Sequence, residues 1–126
     1  MENTHFEQGL AVRRAVMGAE YVDKALANAD DFTRPMQELV TEYCWGTVWT
    51  RPGLSLKMRS LLNIGMLVAL NRSHELKLHL RGALTNGCTK EEFQEALLQA
   101  AIYCGVPAGM EGFRVAAEVM RETEQK

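Results

Sequence analysis

Apolar residues recur every three or four positions along almost the whole chain, and no stretch alternates apolar and polar side chains. This spacing is typical of amphipathic helices, because it places the apolar side chains on one face of a 3.6-residue period. The β-branched residues are scattered and form no run that would favour a strand. The sequence therefore predicts an all-α fold, with residues 1–126 forming a single domain.

Capping and turn residues divide the chain into seven predicted helices. Thr33 is expected to cap the third helix, and Thr89 with Glu92 forms a capping box before the sixth. The short connection Asn71-Arg72-Ser73 predicts that the helices on either side of it form a central antiparallel hairpin. The predicted helices cover residues 6–17, 21–28, 34–46, 56–70, 74–86, 90–104 and 108–122.

Glycine and proline residues are expected to shape the junction of the last two helices. Gly105 and Pro107 should end the helix that reaches Cys104, and Gly109 and Gly112 should weaken the first turn of the helix that follows.

Composition and charge exclude several classes of protein. The chain of 126 residues has 14 basic and 16 acidic side chains, and the net charge of −2 argues against a nucleic-acid partner. Its 3 cysteines form no C-x-x-C and no zinc-ligand spacing, which favours a reducing compartment. No basic segment followed by an apolar run suggests export, and the most apolar stretch is about half the ~20 residues that span a bilayer. We expect a cytoplasmic protein that does not enter a membrane.

Two predicted helices carry more apolar surface than one small core needs. Apolar side chains surround almost the whole axis of the helix over residues 56–70, and Leu98 and Ile102 flank the apolar stripe of the helix that follows Thr89. A helix that is apolar all round is buried all round. The sequence leaves two interpretations open, namely helices central to the core of one chain and helices that form an interface between subunits.

The strongest candidate for chemistry is His79. Glu75 lies one helical turn before it and Arg72 lies two turns before it, so that the three share one face with Gly82. Histidine exchanges protons near neutral pH, a carboxylate one turn away can fix its tautomer, and Gly82 is expected to leave open space beside the ring. The alternative is an ordinary surface ion pair next to an arginine.

Further candidates surround the predicted hairpin. Two interpretations stay open for the arginines Arg51, Arg59 and Arg72. Their charges are solvated, or they face one cavity, where guanidinium groups would suit a carboxylate ligand. Trp49 and Tyr103 lie beside turns and helix ends, where a side chain belongs either to the core or to a pocket wall. His5 and His74 do not share a face with His79, so no metal site is expected.

Three segments of the sequence resemble a known family. Residues 75–87, the capping box at Thr89 and residues 102–108 are similar to the carboxymuconolactone decarboxylase family, while residues 12–18 and 45–54 resemble its γ-carboxymuconolactone decarboxylase branch. The resemblance implies an all-helical fold of the alkylhydroperoxidase-D-like type, no cofactor, and a homo-oligomer (a trimer or hexamer). Two segments depart from the decarboxylase pattern: Ser73-His74, and residues 109–112.

The same resemblance argues against peroxide reduction. Peroxide-reducing relatives carry a C-x-x-C-x-x-x-H motif, and this chain has Arg72 and Glu75 where the two cysteines would stand. Dithiol reduction needs an attacking thiolate and a resolving thiol. A hydroperoxidase is therefore not expected.

The resemblance implies decarboxylation of γ-carboxymuconolactone, a small dicarboxylate lactone, to β-ketoadipate enol-lactone and CO2 in aromatic (protocatechuate) catabolism. His79 would protonate the ring carbon, Glu75 would orient His79, and a donor such as Tyr103 would stabilise the carbonyl oxygen. Arginines would hold the carboxylates, and Trp49 would form an apolar wall. Two alternatives stay open: action on another lactone or keto acid, and a non-catalytic helical oligomeric subunit that binds a small molecule.

Overall fold

The protein is helical throughout the part that its structure, a computed structural model, describes, which is residues 4–124. This range contains seven α-helices, one π-helical segment and no strand, so the all-α prediction is confirmed. The helices are α1 (Thr4–Met17), α2 (Ala19–Ala27), α3 (Arg34–Leu39), α4 (Leu56–Ala69), α5 (Ser73–Thr85), α6 (Lys90–Cys104) and α7 (Val106–Glu124), and the π segment is Val40–Val48. None of them is both long and apolar enough to cross a bilayer.

The helices group into two compact units where the sequence predicted a single domain. The first unit ends at Ser55 and the second begins at Leu56, directly after the turn-forming residues 50–53. α1 to α3 and the π segment form the first unit, and α4 to α7 form the second. Each unit has a hydrophobic core of its own.

In the first unit, α1 packs against the π segment with its backbone in direct contact. A Cβ atom added to Gly9 would collide with the carbonyl oxygen of Thr41, and one added to Gly46 would collide with the carbonyl oxygen of His5. The rings of Trp45 and Trp49 stack beside this contact with centroids 4.4 Å apart. The regular helix predicted up to Gly46 is wrong, because the chain widens into a π-helix at Val40.

The predicted cap of α3 is also wrong. Thr33 precedes the helix, but its side chain accepts no hydrogen bond from the first turn. Instead, the carboxylate of Asp30 accepts hydrogen bonds from the backbone N–H groups of Phe32 (3.0 Å) and Thr33 (2.9 Å). The turn before α3 is therefore organised by Asp30, whose side chain accepts from the backbone donors of that turn.

In the second unit, α4 and α5 form the predicted antiparallel hairpin. Hydrogen bonds join Leu67 to Arg72 near the connection, and Leu56 and Ser60 to Asn86 at the far end. Each pair brings a residue late in one helix next to one early in the other, as an antiparallel arrangement requires. The core between α4, α5, α6 and α7 is built from buried aliphatic side chains, among them Ile64, Leu76, Leu80, Leu97 and Val119.

The start of α6 confirms the predicted capping box. The Thr89 hydroxyl accepts from the backbone N–H of Glu92 (3.1 Å), and the Glu92 carboxylate accepts from that of Thr89 (2.9 Å). Gly105, at φ 109°, ends α6 as expected, since an L side chain rarely adopts this backbone conformation. Pro107 was expected to help end α6, yet it lies in the first turn of α7, where the lack of an N–H costs nothing.

The glycines at the start of α7 serve close packing. A Cβ atom on Gly109 would collide with Ala101, and one on Gly112 would lie 2.8 Å from Leu97. Their low helix propensity led to the expectation of a weak first turn and a helix that starts near Ala108. The observed helix begins at Val106, since close contact with α6 and α4 stabilises it.

Ion pairs join α5 to α7 along the side of the hairpin away from α4. Arg81 donates two hydrogen bonds to the carboxylate of Glu122, at 3.0 and 2.9 Å. Lys77 lies 3.3 Å from Glu118 and 3.4 Å from Glu122. These contacts lower the pKa of Glu122 to about 2, with the hydrogen bonds from Arg81 as the largest cause. They hold α5 in place from one side.

The Gly9 contact predicts a strong effect of a single methyl group. Gly9→Ala should lower the free energy of unfolding of the first unit by about 1–3 kcal/mol, because the backbones of α1 and the π segment would have to separate. The matched control is Gly53→Ala, where nothing lies within 4 Å of the added atom. The chain's 2 tryptophans both lie in this unit, so denaturant unfolding followed by their fluorescence measures the effect. Equal stability of the two variants would contradict it.

Candidate active site

The polar face of α5 packs against α4. Nδ1 of His79 lies 3.4 Å from the side-chain nitrogen of Asn63 on α4, and both residues are half-buried. One end of the same interface is closed by Asn86, which donates to the hydroxyl of Ser60 at 2.9 Å. The α5 residues that helical spacing groups with His79 therefore lie on a surface between two helices. His79 is not part of an ordinary exposed ion pair.

Burial controls the charge of His79. Removal from water lowers the pKa of the imidazole below its ordinary value of 6.5, and the negative charge of Glu75 acts against this effect without reversing it. His79 is therefore neutral at pH 7 in the protein without a ligand. One of its ring nitrogens then carries a proton and the other accepts a hydrogen bond.

Two further charged residues lie at this interface. Glu75 is half-buried one turn before His79, and Arg59 is half-buried on α4 one turn before Asn63, on the same helix face. Arg59, Asn63, Glu75 and His79 together are called the hairpin site below. Gly82, which was expected to open space beside His79, is itself buried.

The remaining candidate residues are distributed over both units. Arg72 is exposed at the residue before α5. Tyr103 is 80% exposed and lines a groove of about 440 Å³ between α4 and α6, a groove that neither His79 nor Glu75 lines. Trp49 is buried in the core of the first unit, stacked on Trp45, and Arg51 is exposed in the turn after the π segment. Within the second unit, the structure thus places Glu75 close enough to His79 for their charges to interact, and it places Arg59 one turn from Asn63 on the facing helix.

The departures from the decarboxylase pattern meet at one place. The hydroxyl of Ser73 donates to the carboxylate of Glu111 at 2.7 Å, and Arg114 binds the same carboxylate. These hydrogen bonds lower the pKa of Glu111 to about 2, with Arg114 as the largest cause. This contact joins the start of α5 to α7 and does not include a residue of the hairpin site.

An exposed apolar surface borders the hairpin site. Met66 and Leu62 lie next to Arg59 around the α4 axis and are about half exposed, while Ile102 on α6 is 78% exposed. The interpretation that both helices are buried all round within one chain is therefore wrong. The outer apolar face of α4 consists of Met58, Leu62, Met66 and Leu70.

Among residues 4–124, no three His, Cys, Asp or Glu side chains converge as ligands for a metal ion. The three cysteines are free thiols, of which Cys88 is buried. Burial raises the pKa of the Cys88 thiol, and the nearby Glu92 charge acts in the same direction. A thiol in such surroundings is a poor nucleophile.

Comparison with known proteins identifies the family. The carboxymuconolactone decarboxylase family matches residues 34–118. This chain belongs to that family. The matched range includes α4, α5 and all four residues of the hairpin site.

Two relatives match nearly the whole chain. A nitrosuccinic acid decarboxylase from Metarhizium robertsii is 50% identical over 121 residues, which is 96% of this chain and 85% of that protein. A 4-carboxymuconolactone decarboxylase from Acinetobacter baylyi is 40% identical over 121 residues, covering 96% of this chain and 90% of that protein. A 4-carboxymuconolactone decarboxylase from Pseudomonas putida is 38% identical over 45 residues, 36% of this chain.

Sequence reasoning missed Asn63. It lies in the most apolar part of the chain, where the many apolar side chains predict burial and no polar role. The available signal was its polar character between Leu62 and Ile64, on the helix that the predicted hairpin places opposite His79. A buried amide at such a position needs a hydrogen-bond partner.

The charge of Glu75 should be measurable at His79. Replacement by Gln removes the charge that opposes desolvation, so the pKa of His79 should fall further in Glu75→Gln. NMR titration of the imidazole measures this change, and His79→Gln identifies the signal.

The lowered pKa of His79 also makes the stability depend on pH. The unfolded chain binds this proton more readily than the folded protein does. The contribution of His79 to the free energy of unfolding is therefore fully present above pH 6.5 and decreases as the pH falls below it. A pKa of His79 above 6.5 in the native protein would contradict the burial argument.

Proposed function

We propose that the protein is a carboxy-lyase that converts 4-carboxymuconolactone (γ-carboxymuconolactone) to β-ketoadipate enol-lactone and CO2 without a cofactor. The observation that carries this proposal is its 40% identity with the Acinetobacter baylyi enzyme of that name, over 96% of the chain. The hairpin site supports it, because a half-buried imidazole has a carboxylate one turn away on its own helix, and the facing helix carries an arginine one turn from Asn63. The corresponding pathway is the breakdown of protocatechuate and related aromatic acids.

The substrate can accept the electron pair that departing CO2 leaves behind. When the bond between the ring carbon and its carboxylate breaks, the pair moves through the ring double bond to the lactone carbonyl oxygen. A proton must then be added to the carbon next to that carbonyl. The protein has three tasks: it holds a dianion, stabilises charge on the carbonyl oxygen and delivers one proton.

The residues of the hairpin site suit two of these tasks. A bound dianion favours the charged form of a neighbouring imidazole, so His79 takes a proton from solvent as substrate binds and gives it to the ring carbon. Arg59 holds a substrate carboxylate and offsets the charge of Glu75, with Arg72 and Arg51 as further candidates for the same role. Glu75 orients His79. Tyr103 as carbonyl donor and Trp49 as apolar wall stay predictions.

Nitrosuccinate is the second candidate substrate, favoured by 50% identity with the Metarhizium robertsii enzyme. Both acids contain a succinate unit in which the carbon that loses CO2 also bears an electron-accepting group. Loss of CO2 from nitrosuccinate leaves a nitronate, which is protonated on the same carbon. The lactone is protonated two carbon atoms further along. An enzyme for the lactone therefore needs its proton donor at a different position relative to the succinate unit than an enzyme for nitrosuccinate.

The protein is also proposed to form a homo-oligomer, a trimer or hexamer. The outer apolar face of α4 and the exposed Ile102 and Tyr103 on α6 form a large apolar surface, which is unusual for a monomer. This surface borders the hairpin site, so a second copy packed on it would also shield His79 from water. A location in the cytoplasm stays a prediction.

The function is tested with purified protein and both acids, in the presence and absence of a chelator. CO2 release from the lactone, unaffected by chelator, is the expected result. A higher kcat/KM for nitrosuccinate would transfer the assignment to the second candidate. Release of CO2 from neither acid would contradict both and favour another lactone, a keto acid or a non-catalytic binding protein.

His79→Gln should lower kcat by roughly 10²–10⁴, the usual contribution of general acid catalysis. The matched control is His74→Gln, which removes an exposed imidazole from the first turn of the same helix. It should retain activity. Turnover within a few fold of the unchanged protein for His79→Gln would show that another group delivers the proton.

Ile102→Glu should dissociate the oligomer, because it places a charge in the apolar surface. Light scattering measures the mass, and the unchanged protein should exceed its 14.1 kDa monomer several-fold. Phe32→Glu is the control, since this side chain is 91% exposed in the first unit and lies outside the surface. A monomeric unchanged protein would contradict the assembly.

A further inference from the structure

Asn63 is an amide on α4, between the apolar residues Leu62 and Ile64. It is half-buried, and its nitrogen lies 3.4 Å from Nδ1 of His79. We propose that Asn63 is a positioning residue for the decarboxylation: it holds the His79 ring through Nδ1 and so leaves Nε2 as the nitrogen that carries the transferable proton. This inference rests on the proposed function, although its first consequence concerns the protein without substrate.

The hydrogen bond selects one tautomer of the neutral ring. An amide N–H can only donate, so Nδ1 must present its lone pair to Asn63, and the ring proton then resides on Nε2. The distance of 3.4 Å between the amide nitrogen and Nδ1 is at the long end of hydrogen-bond geometry, so the contact is weak enough to rearrange when the ring becomes charged. In the proposed reaction, the proton on Nε2 is the one that His79 transfers once Nδ1 is also protonated.

A carboxamide suits this position better than a carboxylate. When His79 becomes charged, Nδ1 also carries a proton, and the amide can turn about its last side-chain bond so that its oxygen accepts that proton. One side chain therefore serves both protonation states of the ring. An aspartate would stabilise only the charged state and would keep His79 from releasing its proton.

The charged groups around His79 act differently from Asn63. Glu75 on the same helix affects the ring through its charge. On α7, Glu118 and Glu122 bind Lys77 and Arg81 on the opposite side of α5. Asn63 is uncharged, so its contribution is the orientation and tautomer of the ring.

The first test uses ¹⁵N-labelled histidine and NMR on the protein without substrate, above pH 7.5. The unchanged protein should show the signals of the Nε2–H tautomer for His79. Asn63→Leu should change the ratio of the two tautomers by roughly two- to tenfold, the amount that one hydrogen bond supports. The matched control is Asn86→Leu, which breaks a different amide contact in the same hairpin and should leave the tautomer of His79 unchanged.

The second test uses Asn63→Asp, which keeps the size of the side chain and adds a negative charge. The pKa of His79 should rise by about 1–3 units, the usual effect of an adjacent opposite charge. In the pH profile of kcat, the limb assigned to His79 should move to higher pH by the same amount, while KM changes less than kcat. Circular dichroism confirms that the variants are folded, and Asn63→Ser replaces the leucine variant if that one does not fold.

The inference is overturned if Asn63→Leu or Asn63→Ser has the tautomer ratio and pH profile of the unchanged protein. It is also overturned if the unchanged protein carries its proton on Nδ1. Failure of the proposed function gives a different result. The protein then releases CO2 from neither acid, while the tautomer measurement still shows whether Asn63 holds the ring.

Discussion

The candidate site depends on the burial of an imidazole between two antiparallel helices. The hairpin of α4 and α5 removes His79 from water, which lowers its pKa. The same packing brings the amide of Asn63 within 3.4 Å of the ring. The preferred charge of the ring and its contact with Asn63 therefore both follow from the packing of one helix on its neighbour.

The sequence predicted those parts of the fold that local interactions determine. The capping box at Thr89, the positive-φ glycine after α6 and the short connection of the hairpin each have a mechanism that acts within a few residues. One local prediction failed as well, since Asp30 rather than Thr33 organises the turn before α3. The other failures occurred where distant contacts decide. The π segment and the backbone contact at Gly9 depend on another helix, and the glycines of α7 increase stability through neighbours that local propensity does not include.

The sequence also predicted only part of the candidate site. Helical periodicity grouped His79 with Glu75, because residues on one helix keep a fixed angular relation. It could not find Asn63 or rank the arginines, since those choices depend on which face of α4 meets α5. Arg59 lies at the interface and Arg72 is exposed, although both lie close to the hairpin in sequence. The family resemblance gave the reaction, and the structure supplied the partner of the imidazole.

The two sides of α5 have separate tasks. Lys77 and Arg81 attach it to the carboxylates of α7, and the opposite side carries His79 towards α4. Groups that share no contact contribute to free energy independently. Reversing the anchoring ion pairs should therefore preserve the contact between His79 and Asn63. A lineage of such enzymes has, in this one helix, a surface that is free to diverge and a surface that is not.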